Sequence, residues 1–210
     1  MKPPENPKEK PEDDLTISRR TLIASAAFVP LAALTASAQT PAAPAKALDP
    51  IQRGMLEAFV DRLIPKDELG PGAVEAGAAE YIDRCLADYL AAEKQSITDG
   101  LAYLDAHCVA VRGGPFADLP AYTRDAVITA MEANTITGFP TARAFFNRVR
   151  RLTLEGMFGD PHYGGNVNFA GWDLIRYPGP RPAVAPEDQK MGVEIKPYHR
   201  SAWGAEHDGH

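Results

Sequence analysis

Apolar residues recur at helical spacing along most of the chain, and no stretch alternates convincingly at period two. Asp49-Pro50 opens the first segment, a carboxylate in the N-cap position followed by proline at the first helical position. Behind it Ile51, Met55, Phe59 and Leu63 share a face, flanked by Leu56 and Val60, until Pro65 ends the helix. A loop punctuated by Gly-Pro-Gly follows. From Val74 a second set (Ala78, Tyr81, Ile82, Cys85, Leu86, Tyr89) has the same period, and a third carries Ile97, Leu101, Leu104, Cys108 and Val111 up to Gly113-Gly114-Pro115. Asp118 is placed to cap a short fourth helix with Tyr122, Val127, Ile128 and Met131. Thr141 is placed to cap a fifth, with Phe145, Phe146, Val149, Leu152 and Met157 inward and Arg143, Arg150 and Glu155 outward. Regular periodicity stops after Gly156. The pattern predicts a small all-α domain of about five helices, with a long glycine-rich C-terminal loop region.

The first forty residues follow a different logic. Residues 1–14 are polar, contain Pro3, Pro4, Pro7 and Pro11, and cannot bury enough apolar surface to fold. Ser18-Arg19-Arg20-Thr21-Leu22-Ile23 then leads an apolar run to Leu34, and Ala36-Ser37-Ala38 offers the small residues that a signal peptidase reads. That run, about 13 residues, is too short for a permanent membrane span. The paired arginines resemble a twin-arginine export signal, which carries folded cargo; an ordinary secretory signal that happens to contain Arg-Arg is the alternative. The expected organisation is a signal peptide over 1–38, a linker over 39–48, a helical domain over 49–182 and an extended or mobile tail over 183–210. No internal repeat or second domain is evident.

Charge narrows the function. The net charge of -6 stays with the mature part, because residues 1–38 carry equal numbers of acidic and basic side chains. An acidic surface repels phosphate backbones, which argues against nucleic-acid partners. Motifs for chemistry are scarce: no GxGxxG at a strand–helix turn, no P-loop, no CxxC or CxxCH, and no nucleophile motif. No catalytic, cofactor-binding or metal-binding residue is therefore assigned to this chain. Cys85 and Cys108, the two cysteines, would face each other if the second and third helices formed a hairpin turning near Gln95-Ser96. An internal disulfide, two core thiols, or a bridge to another subunit all remain open. His199, His207, His210 and Asp208 could gather a metal, but read more simply as a mobile solvated end. His162 reads as a structural hydrogen-bonding residue in its loop.

The informative stretch is Phe145 to Pro180, where glycines, Asp160 and Asn166 specify tight turns in a loop carrying Tyr163, Phe169, Trp172 and Tyr177. Such aromatics either form a binding surface or cover the domain's own core. The run from Thr153 through Gly159-Asp160-Pro161-His162-Tyr163-Gly164-Gly165-Asn166, then Gly171-Trp172 and Tyr177-Pro178-Gly179, resembles the signature of the gluconate 2-dehydrogenase subunit 3 family. Phe59 to Pro65 resembles that family's opening helix. The likeness covers roughly residues 50–182, with one departure: Arg176 stands where the family carries a smaller residue, often glycine.

The resemblance implies a non-catalytic small (gamma) subunit. Its partner would be a large FAD-containing dehydrogenase of the glucose-methanol-choline type acting on a sugar, polyol or sugar acid. FAD would sit in that partner, and haem c in a multihaem cytochrome that can form a third subunit. The small subunit would lend its export signal (Ser18, Arg19, Arg20) and assist folding of the partner. The complex would lie in the periplasm at the face of the inner membrane, with membrane association only through the complex. Tyr163, Asn166, Trp172 and Tyr177 are the residues expected to bind the partner. An independent periplasmic metal-binding protein or enzyme, or a freestanding helical binding module, is the alternative.

Overall fold

The computed structural model describes residues 46–181 and 183–204. The leader with Ser18, Arg19 and Arg20, most of the linker, and the terminal His207, Asp208 and His210 lie outside the described residues.

Six α-helices are present among the described residues: α1 (Pro50–Leu63), α2 (Ala78–Ala87), α3 (Lys94–Arg112), α4 (Ala121–Glu132), α5 (Ala142–Phe158) and the short α6 (Ala170–Leu174). Among the described residues extended pairing is limited to isolated bridges, Asp67 with Gly70 and Ser201 with Gly204. The all-α class is as the periodicity predicts. No helix among the described residues is long and apolar enough to cross a membrane.

α1 starts as its sequence demands. Asp49 Oδ1 accepts the amides of Ile51 and Gln52, both at 2.9 Å, and Gln52 Oε1 accepts the Asp49 amide at 3.1 Å. This reciprocal capping box satisfies donors that the first turn cannot bond internally. α4 starts otherwise. Asp118 lies in a 3-10 turn (Phe116–Asp118), and the helix begins after Pro120 with no side-chain cap. The reason is Pro120, which forces Leu119 into an extended conformation and separates Asp118 from the helix. Thr141 occupies the N-cap of α5 but makes no side-chain cap bond.

α5 is the central helix, packed against α1, α2, α3, α4 and α6. Phe145 on α5 meets Phe59 of α1 edge-on at 5.7 Å and Phe139 at 5.8 Å, while Phe59 also meets Phe116 at 5.9 Å. Around these rings Leu56, Ile82, Leu86, Leu101, Leu104, Met131 and Leu152 are fully buried. The helix runs through Gly156 to Phe158, two residues beyond the point where the periodicity ends, because Tyr81 of α2 packs directly over Gly156. Ile51 and Tyr122, placed by spacing on inward faces, are exposed. Each sits in the first turn of its helix, beyond the reach of the neighbouring elements.

The hairpin imagined for α2 and α3 does not form. Both helices pack on α5 instead, and Cys85 and Cys108 are free, buried thiols rather than a disulfide. Cys85 has the hydroxyls of Tyr81 and Tyr89 beside it, whereas Cys108 has Asp105 and Arg112 of its own helix nearby. Burial pushes the Cys108 thiol up to about 11, with Asp105 adding to the shift and Arg112 opposing it.

One buried carboxylate escaped the sequence pattern. Asp83 on α2 is 1% exposed, and its Oδ1 accepts the amides of Ala47 and Leu48 at 2.7 and 2.8 Å. Its Oδ2 takes Arg53 Nη1 of α1 at 3.1 Å, and the same guanidinium reaches Glu80 and Glu57 at 2.9 Å each. The chain that enters the domain is thereby pinned to α1 and α2. Longer ties are bidentate: Arg62 of α1 on Asp125 of α4, and Arg148 of α5 on Glu93.

Two expectations follow. Asp83→Ala strands two amides and part of a buried ion network, and should lower unfolding free energy by about 3 kcal/mol in urea titration. In the native protein both thiols should resist iodoacetamide at pH 8 because both are buried, and unfolding in urea should expose both, read by mass spectrometry.

Candidate functional site

The segment after α5 is built around one side chain. Asn166 is fully buried and sits in the left-handed region at φ 48°, a conformation that asparagine tolerates better than most residues. Its amide donates to Gly156 O at 2.7 Å and its Nδ2 to Gly159 O at 2.9 Å. Its Oδ1 accepts the amides of Gly171 at 2.8 Å and Trp172 at 3.4 Å. Asn166 therefore supplies donors to the carbonyl end of α5 and an acceptor to the amide end of α6, the groups that helices leave unsatisfied. Trp172 completes the junction: its Nε1 donates to Phe158 O at 2.9 Å. The backbones come so close that a Cβ at Gly165 or Gly171 would collide with the carbonyls of Gly156 and Met157.

Residues 183–204 lack helices and fold back over this segment. Asp160 Oδ2 accepts the Ala202 amide at 2.8 Å, and its Oδ1 accepts the His162 amide at 2.9 Å. Burial pushes the Asp160 carboxyl up, but bonds from Ser201, Ala202 and His162, with the nearby His162 ring, outweigh that and hold it below the usual carboxylate range. His199 bonds Asp173 at 2.6 Å and stacks on Phe169 at 4.7 Å, and Trp203 stacks on His162 at 5.5 Å. The Tyr198 amide donates to Pro178 O at 3.0 Å. The described part of the tail is thus docked, and His199 belongs to that docking. Among the described residues no group of three or more His, Cys, Asp or Glu gathers as a metal site.

Between the end of α2 and the Pro161–Tyr163 turn lies a groove of about 300 Å³, lined by Arg84, Cys85, Asp88, Tyr89, His162 and Tyr163. Tyr89 and Tyr163 are 61% and 49% exposed.

A model of the family described as gluconate 2-dehydrogenase subunit 3 matches residues 50–179, from the capping box of α1 to the end of the glycine-rich segment. The chain belongs to that family. Comparison with curated proteins and with solved structures returned no significant match. Family membership makes this a subunit of a multi-subunit dehydrogenase of the gluconate 2-dehydrogenase kind. Within this subunit 3 chain the matched span stops short of residues 183–204, so the docked tail is an addition outside it.

The four residues singled out from sequence divide into two pairs. Asn166 and Trp172 are buried and hold the junction of α5 with α6, so they present no surface to a partner. Tyr163 and Tyr177 remain partly exposed, Tyr177 with its ring edge-on to Trp172 at 4.8 Å. Asp160 was missed as the anchor of the tail, although Asp followed by Pro is a legible cap signal. Tyr89 was read as part of a buried face, and it falls one residue past the C-cap of α2, where it turns to the groove. Trp203 had no local signal.

The departure at Arg176 has a geometric cause. The Tyr177 amide bonds Trp172 O at 2.8 Å and the Arg176 amide bonds Asp173 O at 3.0 Å, the two bonds of a Schellman C-cap. Arg176 occupies its left-handed position at φ 54°, where glycine is favoured. Arg176→Gly should therefore raise stability by about 1 kcal/mol, seen as a higher urea midpoint with an unchanged slope.

Proposed function

We propose that this chain is the non-catalytic accessory subunit of a periplasmic flavin-dependent dehydrogenase, and that it escorts the catalytic subunit through the twin-arginine route. The partner in this reading is a large FAD-containing subunit of the glucose-methanol-choline type that oxidises a sugar, polyol or sugar acid. A multihaem cytochrome c can complete the assembly and tie it to the periplasmic face of the inner membrane. FAD and haem belong to those partners.

The observation that carries the proposal is the family match over residues 50–179 behind a leader containing Ser18-Arg19-Arg20. A flavin must be inserted before export, and only a route for folded cargo accommodates that order. A small subunit with an export signal then serves two proteins. Asp83 supports this division of labour, because it fixes to the folded domain the chain through which the leader is attached. The rigid Asn166 junction supports it too, since a pre-shaped segment binds at lower ordering cost than a loop that must be organised on contact.

Replacing Arg19 and Arg20 by Lys should leave flavoprotein and dehydrogenase activity in the cytoplasmic fraction, whereas the unaltered chain should place both in the periplasm. Undiminished periplasmic activity in the double variant would refute the escort role.

A further inference from the structure

The groove beside α2 has a chemistry that the family reading does not use. Two tyrosine rings, Tyr89 and Tyr163, line it and are substantially exposed. Asp88, the C-cap residue of α2, also lines it, and its carboxylate has no ion-pair partner among the described residues. The carbonyl end of a helix adds partial negative charge at the same place. Arg84 and His162 are the basic side chains in the lining, and Arg84 Nε donates to Glu80 Oε1 at 3.2 Å, so its charge is shared with that carboxylate. The surroundings of Cys85 report the same polarity: burial pushes its thiol up, the Tyr89 and Tyr81 hydroxyls offset part of this, and the Glu155 and Asp88 carboxylates raise it further. The whole chain carries a net charge of -6, which favours approach of a basic segment. The groove's far wall is stiffened by the tail, where Trp203 stacks on His162.

We infer that this groove receives a cationic side chain, arginine or lysine, projecting from a segment of the partner protein, held over the Tyr89 and Tyr163 rings with Asp88 as counter-charge. The inference rests on the accessory-subunit reading for the source of that side chain, and on the groove alone for its chemistry. Cation–π attraction to exposed rings is modest singly and grows when water is excluded. Two rings and a carboxylate at one groove suit an anchoring residue better than a rim contact.

The test uses the full chain and blocked tripeptides followed by NMR titration. Ac-Gly-Arg-Gly-NH2 should give saturable shifts at Tyr89 and Tyr163, and Ac-Gly-Glu-Gly-NH2 and Ac-Gly-Leu-Gly-NH2 should not. Tyr89→Ala and Asp88→Asn, both at exposed positions, should each weaken the arginine peptide about five-fold, while Tyr89→Phe should retain it. Equal binding of the glutamate or leucine peptide, or unchanged affinity in Tyr89→Ala with an unchanged spectrum elsewhere, would overturn the inference. No flavoprotein enters this experiment, so a failure here leaves the export result standing, and failure of the export test leaves the groove's chemistry standing.

Discussion

Two helix ends that cannot satisfy their own backbone groups meet at Asn166, and the segment after α5 is organised around that meeting. The carbonyl end of α5 lacks donors and the amide end of α6 lacks acceptors. A buried carboxamide provides both at once, with Nδ2 on Gly159 O and Oδ1 on the amides of Gly171 and Trp172. Few side chains of this size carry a donor and an acceptor on one planar group and also tolerate a left-handed backbone. The glycines nearby follow from that junction, since the backbones it draws together leave no room for Cβ atoms.

This arrangement changes what a glycine-rich signature means. Asn166 and Trp172 form the frame, and the aromatic rings on its outside are what remain available for contact. Tyr163 sits at one edge beside Tyr89, and Tyr177 leans on Trp172 at another. A surface supported by satisfied buried hydrogen bonds keeps its shape before a partner arrives, which is the property an assembly subunit needs. The family match spans the frame and the core beneath it as one unit.

Around the same unit, polar anchors tie down both of its ends. Asp83 grips the chain entering at Ala47 and Leu48, and Asp160 grips the returning tail at Ala202. Asp83 gives Oδ1 to two backbone amides and Oδ2 to Arg53, while Asp160 gives one oxygen each to the amides of His162 and Ala202. Arg53 shares its charge among Asp83, Glu80 and Glu57, so no buried carboxylate there stands alone. The tail adds His199 on Phe169 and Trp203 on His162, which extends the aromatic surface beyond the matched span.

The amino-acid sequence alone determined five of the six described helices, because the signals for them are local; the short α6 was not among them. A repeat of 3.6 shows which face of α1 or α5 is apolar, Asp49-Pro50 starts a helix, and Gly113-Gly114-Pro115 ends one. The shape of the glycine-rich segment was likewise announced by its turn residues, and the unusual Arg176 by its place between Ile175 and Tyr177. Tertiary structure decided everything that depends on which elements meet. Periodicity cannot say that α2 and α3 each pack on α5, so it could not show that Cys85 and Cys108 lie in separate surroundings. Nor could it show that Asn166 and Trp172 point inward, since an aromatic on a turn reads the same over a core or toward a partner. Asp83 bonds amides 36 and 35 residues away, and Asp160 reaches one 42 residues away. Hydrogen-bond partners at such separations leave no trace in a local pattern; they exist only once the helices have packed.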